Sequence, residues 1–274
     1  MFISLEHTQF LGKNLISLPT CASTNAEAQN YLQESSNMHH AHQAHHEGTI
    51  IITENQTAGR GQRGNVWESE PNTNLTFSLI LSPKFLKITE QFKLNVAITV
   101  GITDMLQNYL PVQIKWSNDI YTQSKKIGGI LIENTIQQNF IQHAIIGIGL
   151  NINQLSFNTP IATSLINEKK QVSQLTLAQI PQPISHQRYD LQTMLEEIVL
   201  GIENRYLQLR GGQYDMLKMI YLQRLYWFQE IHTFQAQDKY FVGLIIGIDN
   251  YGRLAINTEG TIKYFDVKEV AFIA

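Results

Sequence analysis

Residues 112–153 read VQIKWSNDIYTQSKKIGGILIENTIQQNFIQHAIIGIGLNIN. Four runs in this stretch, VQIKW, IYTQ, KKIGGILIEN and HAIIGIGLNIN, are rich in branched apolar residues, and short polar segments separate them. The pattern predicts consecutive strands of one sheet that are joined by tight turns. Because tight turns join antiparallel neighbours, it favours a largely antiparallel sheet over a doubly wound parallel one.

The flanking residues add further strands and helices, although no regular element is predicted before Ser23. Two β-branched segments predict strands over 48–58 and 74–82. Apolar residues at helical spacing predict a long helix over 89–110, and a capping box of Thr24 and Glu27 predicts a helix to about Gln33. Later helices are expected around 163–169, around 173–179, within 185–209 and after Gly212. The predicted class is α+β, a mixed, largely antiparallel sheet flanked by helices.

The character of the sequence changes after about Phe228. Short alternating segments follow, separated by turn signals such as Asp249-Asn250 and Glu259-Gly260. This pattern is typical of a small barrel. We therefore predict two domains, 1–228 and 229–274.

The charge balance excludes a general polyanion-binding surface. The 274 residues include 20 Lys and Arg against 23 Asp and Glu, a formal net charge of -3. Nucleic acid or an anionic membrane would need a local basic patch, so we expect neither as a partner. A hydrophobic share of 43% excludes a disordered chain.

The cysteine content and the N-terminal residues indicate the cellular compartment of the protein. Cys21 is the only cysteine, which excludes an internal disulfide framework and favours a reducing compartment. The first residues, MFISLEHTQFLGKN, lack the pattern of a secretory signal, and no apolar run is long enough to span a bilayer. We expect a cytoplasmic protein.

The strongest chemical signal is QTAGRGQRGNVW at 56–67. Its three glycines let backbone amides approach an anion, and Arg60 and Arg63 add donors for phosphate or carboxylate. The glycines also fit the dinucleotide-binding fingerprint G-x-G-x-x-G. That fingerprint requires a helix to begin at its last glycine, and the segment that follows here, NVWESEPNTN, cannot begin one. The P-loop pattern is absent as well. A plain surface loop is the alternative.

Two further segments are weaker signals. Lys115 and Asp119 in KWSND, followed by Lys125 and Lys126 before two glycines, would place an ammonium beside exposed backbone, where an anionic ligand could lie. A type I turn and a solvated lysine pair explain the same residues. The residues 23–25, STN, are explained by helix capping, although a capping hydroxyl can also face a ligand.

Five of the nine histidines lie within eight residues, at His39, His40, His42, His45 and His46. Such a cluster can bind zinc or nickel. The segment has no helical spacing and no cysteine or carboxylate partners, so a variable loop without a metal site is the favoured interpretation.

Taken in order, five motifs resemble those of the biotin protein ligases (biotin-[acetyl-CoA-carboxylase] ligases). They are STN at 23–25, Q-x-A-G-R-G-x-R-G-x-x-W at 56–67, K-W-x-N-D at 115–119, K-I-G-G-I-L-I-E at 126–133 and G-I-G-L-N at 147–151. The resemblance is dense from about Leu15 to Asn153 and returns after residue 246. It implies a catalytic domain similar to class II aminoacyl-tRNA synthetases and a C-terminal SH3-like barrel.

Enzymes of this family activate biotin with MgATP to biotinyl-5'-AMP and transfer biotin to one lysine of a biotin carboxyl carrier domain. The resemblance implies that ATP and biotin are substrates and that Mg²⁺ arrives with the ATP. The implied catalytic residues are Arg60, Lys126 and Asp119. The implied biotin-binding residues are Ser23, Thr24, Asn25, Gln56, Gly128, Gly147 and Gly149. The implied nucleotide-binding residues are Gly59, Arg60, Gly61, Gln62, Arg63, Trp67, Lys126 and Asn151.

The sequence departs from the family pattern at two positions, where Gln62 replaces an arginine and Ser117 replaces a proline. We expect Arg63 to carry more of the phosphate binding as a result. Only 22 residues precede Ser23, so we expect a monofunctional form without the DNA-binding domain of bifunctional members.

Two other functions fit the same fold. A lipoate or octanoyl ligase shares the acyl-adenylate chemistry, but its R-R-x-S-G-G-G-x-V-x-H pattern is absent from this sequence. A binding module or vitamin-sensing regulator would keep a ligand without catalysis, which the presence of both Arg60 and Lys126 disfavours. A strand edge near GLNIN could pair two subunits, so the chain is expected to be a monomer or a homodimer.

Overall fold

A computed structural model describes residues 2–37, 46–169 and 188–273. Within these ranges the strands of the first sheet are β1 (Leu15–Leu18), β2 (Ile50–Thr53), β3 (Leu75–Leu81), β4 (Gln113–Lys115), β5 (Asp119–Thr122), β6 (Lys125–Gln137) and β7 (Phe140–Leu150). The helices whose two ends both lie within the described ranges are α1 (Thr24–Asn37), α2 (Gln91–Leu106), α3 (Leu191–Arg210) and α4 (Tyr214–Gln223). The strands of the second sheet are β8 (Ile231–Ala236), β9 (Lys239–Ile248), β10 (Leu254–Thr258), β11 (Thr261–Phe265) and β12 (Ala271–Ile273).

The first sheet has seven strands in the order β1-β2-β3-β7-β6-β5-β4. Only β1 and β2 pair in parallel, and every other neighbouring pair is antiparallel. The sheet is mixed and largely antiparallel, as the four runs of residues 112–153 predict. Its central strand β7 is paired along both sides, by β3 and β6.

Helices cover both faces of this sheet. On one face, Ala28 of α1 packs with Ile51, Ile80 and Ile145. On the other face, α2 packs against α3, and Gly101 and Gly201 permit a close approach of the two helices. A Cβ on Gly101 would lie 2.7 Å from the Gly201 carbonyl oxygen, so a larger residue would force the helices apart.

The second sheet is antiparallel, in the order β11-β10-β9-β8-β12. Its core is continuous with that of the first sheet, since Phe234 and Leu254 belong to the same buried cluster as Ile114 and Trp116. The Trp116 indole also donates to the Gly252 carbonyl at 2.9 Å. The second sheet is thereby fixed against the end of β4.

Several expectations about the elements need correction. The structure contains β1, which was not predicted, and α1 extends past Gln33 to Asn37. The expected capping hydroxyl of Thr24 instead contacts Gln56 and Ser78, because Thr24 already lies inside the helix. The segment GLNIN is no free edge, since the amides of Asn151 and Asn153 bond to Ile127 and Thr73.

The helical segment expected around 163–169 is present over 165–169, whereas the one around 173–179 lies outside the described residues. None of the helices in the described ranges combines the length and the apolar character that crossing a membrane requires.

Candidate active site

A cavity of about 380 Å³ lies between the first sheet, the glycine-rich loop and the last strand of the second sheet. This volume falls within the range of small-molecule sites. The cavity is lined by twelve of the residues expected from the sequence: Ser23, Thr24, Asn25, Gln56, Arg60, Gly61, Gln62, Trp67, Asp119, Lys126, Gly147 and Gly149. Residues that are far apart in the chain are therefore brought together as the motifs imply.

The glycine-rich loop folds back on itself as a narrow hairpin. The Gly61 amide donates to the Asn65 carbonyl at 2.7 Å, and the Trp67 amide donates to the Gly59 carbonyl at 3.0 Å. Its tip is a single 3-10 turn, Gln62–Gly64, and the described residues 65–87 that follow it contain no helix. A dinucleotide fingerprint requires that helix, so its rejection from the sequence is confirmed.

The start of α1 forms one end of the cavity through a hydrogen-bonded cluster. The Thr24 amide donates to Gln56 Oε1 at 2.9 Å, and the Ser78 hydroxyl lies within hydrogen-bonding distance of the Thr24 hydroxyl and of Asn25 Oδ1. Asn25 Nδ2 donates to Glu133 Oε2 at 2.6 Å. The Asn25 amide is thus engaged on both sides, which fixes its position beside Gly147 on β7.

Trp67 covers the next part of β7. A Cβ on Gly149 would lie 2.3 Å from the indole ring, so only glycine allows this contact. The indole Nε1 is buried and has no hydrogen-bond partner among the described residues. The Lys126 ammonium lies 5.7 Å from the centre of the ring, close enough for a cation–π attraction.

Lys126 and Asp119 form an ion pair of 2.7 Å at the floor of the cavity. A β-bulge makes this pair possible. Asp119 is opposite Gly129, but the register shifts after Ile120, so that Lys126 is opposite Tyr121. Because a one-residue shift moves a side chain to the other face, the bulge turns Lys126 to the face that carries Asp119.

Two charged residues of the site are not among the catalytic and binding residues that the resemblance implies. Glu133, the last residue of K-I-G-G-I-L-I-E, lies 3.4 Å from an Arg60 guanidinium nitrogen and also accepts from Asn25. Lys115, the first residue of K-W-x-N-D, lines the cavity next to Phe272 of β12. The motif positions were a signal for both residues, but their partners come from distant parts of the chain.

Burial lowers the pKa of Lys115, and Lys126 lowers it further, while Asp119 acts in the opposite direction. The neighbouring Tyr121 has its pKa raised to about 12, chiefly by burial and then by Asp119. This end of the cavity is therefore a poorly solvated environment in which charges interact strongly.

Four expected site residues do not line the cavity with a described side chain. Gly59 and Gly128 are in close contact with neighbouring residues. An added Cβ would lie 2.4 Å from the Trp67 carbonyl oxygen at Gly59 and 2.5 Å from a Leu150 methyl carbon at Gly128. Asn151 is buried and donates to the Thr163 carbonyl at 2.9 Å, although its Oδ1 has no described partner. The Arg63 side chain lies outside what the structure describes.

The histidine-rich segment is described only at its end. His39, His40, His42 and His45 lie outside the described residues. The His46 ring packs edge-on against Tyr31 at 5.5 Å and lies 6.5 Å from the His143 ring.

A family model described as the biotin/lipoate A/B protein ligase family matches residues 25–151. The match begins at Asn25, the last residue of the STN motif, and ends at Asn151, so it includes the other four motifs that build the cavity. Residues 25–151 are therefore similar to the biotin/lipoate A/B protein ligase family. The description of that family covers ligases for two acyl groups, biotin and lipoate. Some relatives of this chain have names that specify biotin.

Among the relatives of this chain, the bifunctional ligase/repressor BirA of Bacillus spizizenii is 29% identical over 257 residues. That match covers 93% of this chain and 73% of the relative. The human biotin–protein ligase is 26% identical over 78% of this chain and 29% of its own length. The Escherichia coli bifunctional ligase/repressor BirA is 33% identical over 38% of this chain and 33% of its own length.

Solved structures share the family fold. The biotin protein ligase of Aquifex aeolicus, in complex with biotin and ATP, superposes with a TM-score of 0.69 at 24% identity, over 94% of this chain and 98% of that one. The part of this chain left out of that match is smaller than the second sheet, so the match includes residues of both sheets. The α+β architecture with a C-terminal antiparallel sheet is therefore that of the biotin protein ligase fold.

Proposed function

We propose that this protein activates biotin with MgATP to form biotinyl-5'-AMP and then transfers biotin to a specific lysine of a biotin carboxyl carrier domain of the acetyl-CoA carboxylase type. The observation that carries the proposal is the meeting of Arg60 and Lys126 with the Thr24–Gln56 cluster in one cavity. The human relative, which is named as a biotin–protein ligase, supports biotin, rather than lipoate, as the acid.

The first step joins two anions, since a carboxylate oxygen of biotin attacks the α-phosphorus of ATP and pyrophosphate leaves. Cations and oriented amides are needed to offset the repulsion and to stabilise the charge that develops. We assign this role to Arg60, Arg63 and Lys126 and to the backbone of Gly59 and Gly61. In the free protein Arg60 and Lys126 face Glu133 and Asp119, so both cations are already held at the cavity.

We place biotin at the start of α1, against Ser23, Thr24, Asn25, Gln56 and Gly147. The Asn25 amide is already bonded to Ser78 and Glu133, so we assign to it the positioning of the wall beside biotin. We place the adenine against Trp67, above Gly149 and toward Asn151. The indole Nε1 of Trp67 has no acceptor among the described residues, which supports a polar ligand there, because a buried donor without an acceptor is costly.

The second step transfers the acyl group from the adenylate to the amine of the acceptor lysine, and AMP leaves. That lysine must lose a proton before its nitrogen can attack the carbonyl carbon. Asp119 is the proposed group for orienting the amine and drawing off that proton, since its carboxylate is partly exposed at the cavity. The glycine-rich loop would shield the mixed anhydride from water once it closes over the ligand.

The test is biotinylation of a purified carrier domain by the purified protein with ATP, read with streptavidin. Lys126→Ala should abolish the signal, whereas Lys125→Ala should retain it, because Lys125 is the adjacent lysine and does not line the cavity. Biotin-dependent exchange of labelled pyrophosphate into ATP separates the alternatives. Exchange with lipoate alone would indicate a lipoate ligase, and exchange with neither acid would indicate a binding module.

A further inference from the structure

Lys115 occupies a distinctive position among the cations of the cavity. Arg60 and Lys126 each pair with a carboxylate, on Glu133 and Asp119. Within the described ranges Lys115 forms no salt bridge, and its one polar contact is the Tyr121 hydroxyl at 3.5 Å. Its ammonium lies between two rings instead, 4.7 Å from the centre of Tyr121 and 5.2 Å from that of Phe272.

A half-buried ammonium without its own carboxylate is unfavourable unless a ligand supplies the negative charge. The two rings hold the Lys115 stem in place and attract its charge, so the cation is positioned before any ligand arrives. Burial also lowers the pKa of Lys115. A bound anion would reverse that shift and would gain from the poor solvation of the site.

The sheet places Lys115 on the side of the cavity away from the proposed biotin site. Lys115 is directly opposite Asp119, and Asp119 pairs with Lys126, so three charges cross β4, β5 and β6 in a row. The proposed biotin site lies toward β3 and β7, at Ser78 and Gly147. In phosphoryl chemistry the attacking and leaving oxygens are roughly in line. A leaving group displaced by biotin would therefore depart toward β4.

We propose that Lys115 binds the leaving pyrophosphate of the adenylation step, that is, the β- and γ-phosphates of ATP; this rests on the proposed function. As the bond forms between the biotin carboxylate oxygen and the α-phosphorus, the bond from that phosphorus to the bridging oxygen breaks. Pyrophosphate leaves with the electron pair, and the Lys115 ammonium donates a hydrogen bond to it. Phe272 makes β12 of the second sheet part of this subsite.

The test uses the full-length enzyme and follows the two half-reactions separately. Pyrophosphorolysis of biotinyl-5'-AMP reports on pyrophosphate binding, and transfer from supplied biotinyl-5'-AMP to a carrier domain does not require it. Lys115→Met should raise the KM for pyrophosphate about 10- to 100-fold, as expected for loss of a charge-assisted hydrogen bond. Transfer from the supplied adenylate should stay within about twofold of the unmodified enzyme. Lys115→Arg should retain most of the pyrophosphate affinity, and Lys125→Met should behave as the unmodified enzyme.

A second measurement, the pH dependence of the KM for pyrophosphate, can be made with a cation still in place at position 115. Raising the pH deprotonates Lys115, so the KM for pyrophosphate should rise at alkaline pH in the unmodified enzyme and less in Lys115→Arg, whose guanidinium stays charged. Unchanged pyrophosphate KM in Lys115→Met, or identical pH profiles for the unmodified enzyme and Lys115→Arg, would overturn the assignment while leaving biotin ligation intact. An unmodified enzyme without biotin-dependent exchange would overturn both proposals.

Discussion

A Cβ atom on Gly147 would lie 2.3 Å from Oδ1 of Asn25. Asn25 has little freedom to move, since Ser78 and Glu133 bond to its two amide atoms. Gly147→Ala should therefore displace the start of α1 and raise the KM for biotin by about tenfold or more, because a misplacement of about 1 Å can cost on the order of a hundredfold. Steady-state biotinylation at varied biotin measures this effect.

Gly211→Ala is the matched control for this glycine substitution. Gly211 ends α3 with a negative φ of -79° and lies outside the cavity, so the KM for biotin should not change. A normal KM for biotin in Gly147→Ala would contradict the placement of biotin beside Asn25.

Removal of the indole should weaken ATP binding and leave biotin binding unchanged. Stacking of a base on an aromatic ring contributes about 1–3 kcal/mol, so Trp67→Ala should raise the KM for ATP by roughly 5- to 150-fold. Trp67→Phe keeps a ring above Gly149 and should show a smaller rise. If both variants bound ATP normally, the adenine would have to lie elsewhere.

Neutralising Glu133 should make the cavity more receptive to anions. The carboxylate competes with a ligand for Arg60 at 3.4 Å, and both side chains are more than two-fifths exposed. Exposed pairs contribute about 0.2–1 kcal/mol, so Glu133→Gln should lower the KM for MgATP by up to about fivefold, while its amide oxygen still accepts from Asn25. The effect should shrink at high salt, and an increase in KM would contradict this account.

Because Gln62 stands where the family pattern has an arginine, we expect Arg63 to carry more of the phosphate binding. Arg63→Ala should therefore reduce single-turnover formation of biotinyl-5'-AMP more than Gln62→Ala does. Gln62→Arg should slow the release of the adenylate, because it adds a donor for the phosphate. Normal adenylate formation by Arg63→Ala would refute the assignment.

Asp190 caps α3, and its carboxylate contributes to stability above acidic pH. It accepts from the backbone amide and the hydroxyl of Thr193, both at 2.8 Å, and these bonds lower its pKa, the backbone bond most. The stabilisation is present above the unfolded-state pKa near 3.8 and is lost as pH falls through the lower folded-state value. Asp190→Ala should cost about 1 kcal/mol at neutral pH, seen as a lower midpoint in urea unfolding.

Asp190→Asn keeps an oxygen for the Thr193 amide and should lose less stability at neutral pH. Because an amide does not titrate, its stability relative to the unmodified protein should improve as the solution is acidified. Equal stability of all three proteins at neutral pH would show that the cap does not stabilise α3.

Much of this site could be predicted from the sequence, because motifs such as Q-x-A-G-R-G fix residue types at set spacings. The strand β1 escaped prediction because it has four residues and pairs in parallel with β2, far along the chain. The environment of Lys115 could not be predicted from its sequence neighbours either, since the Phe272 ring beside it belongs to the second sheet. Nor does any residue pattern reveal the register shift after Ile120, which depends on how two strands pair.

That register shift also links the apolar interior to the catalytic chemistry. On the strand beside it, Ile120 points away from Asp119 into a fully buried layer with Ile114 and Ile127. In a regular ladder the residue at 126 would share the face of Ile120, and the lysine ammonium would enter that layer without a counterion. A regular ladder over this length of chain would thus be penalised during folding, whereas the bulge at Ile127 keeps the lysine out of that layer.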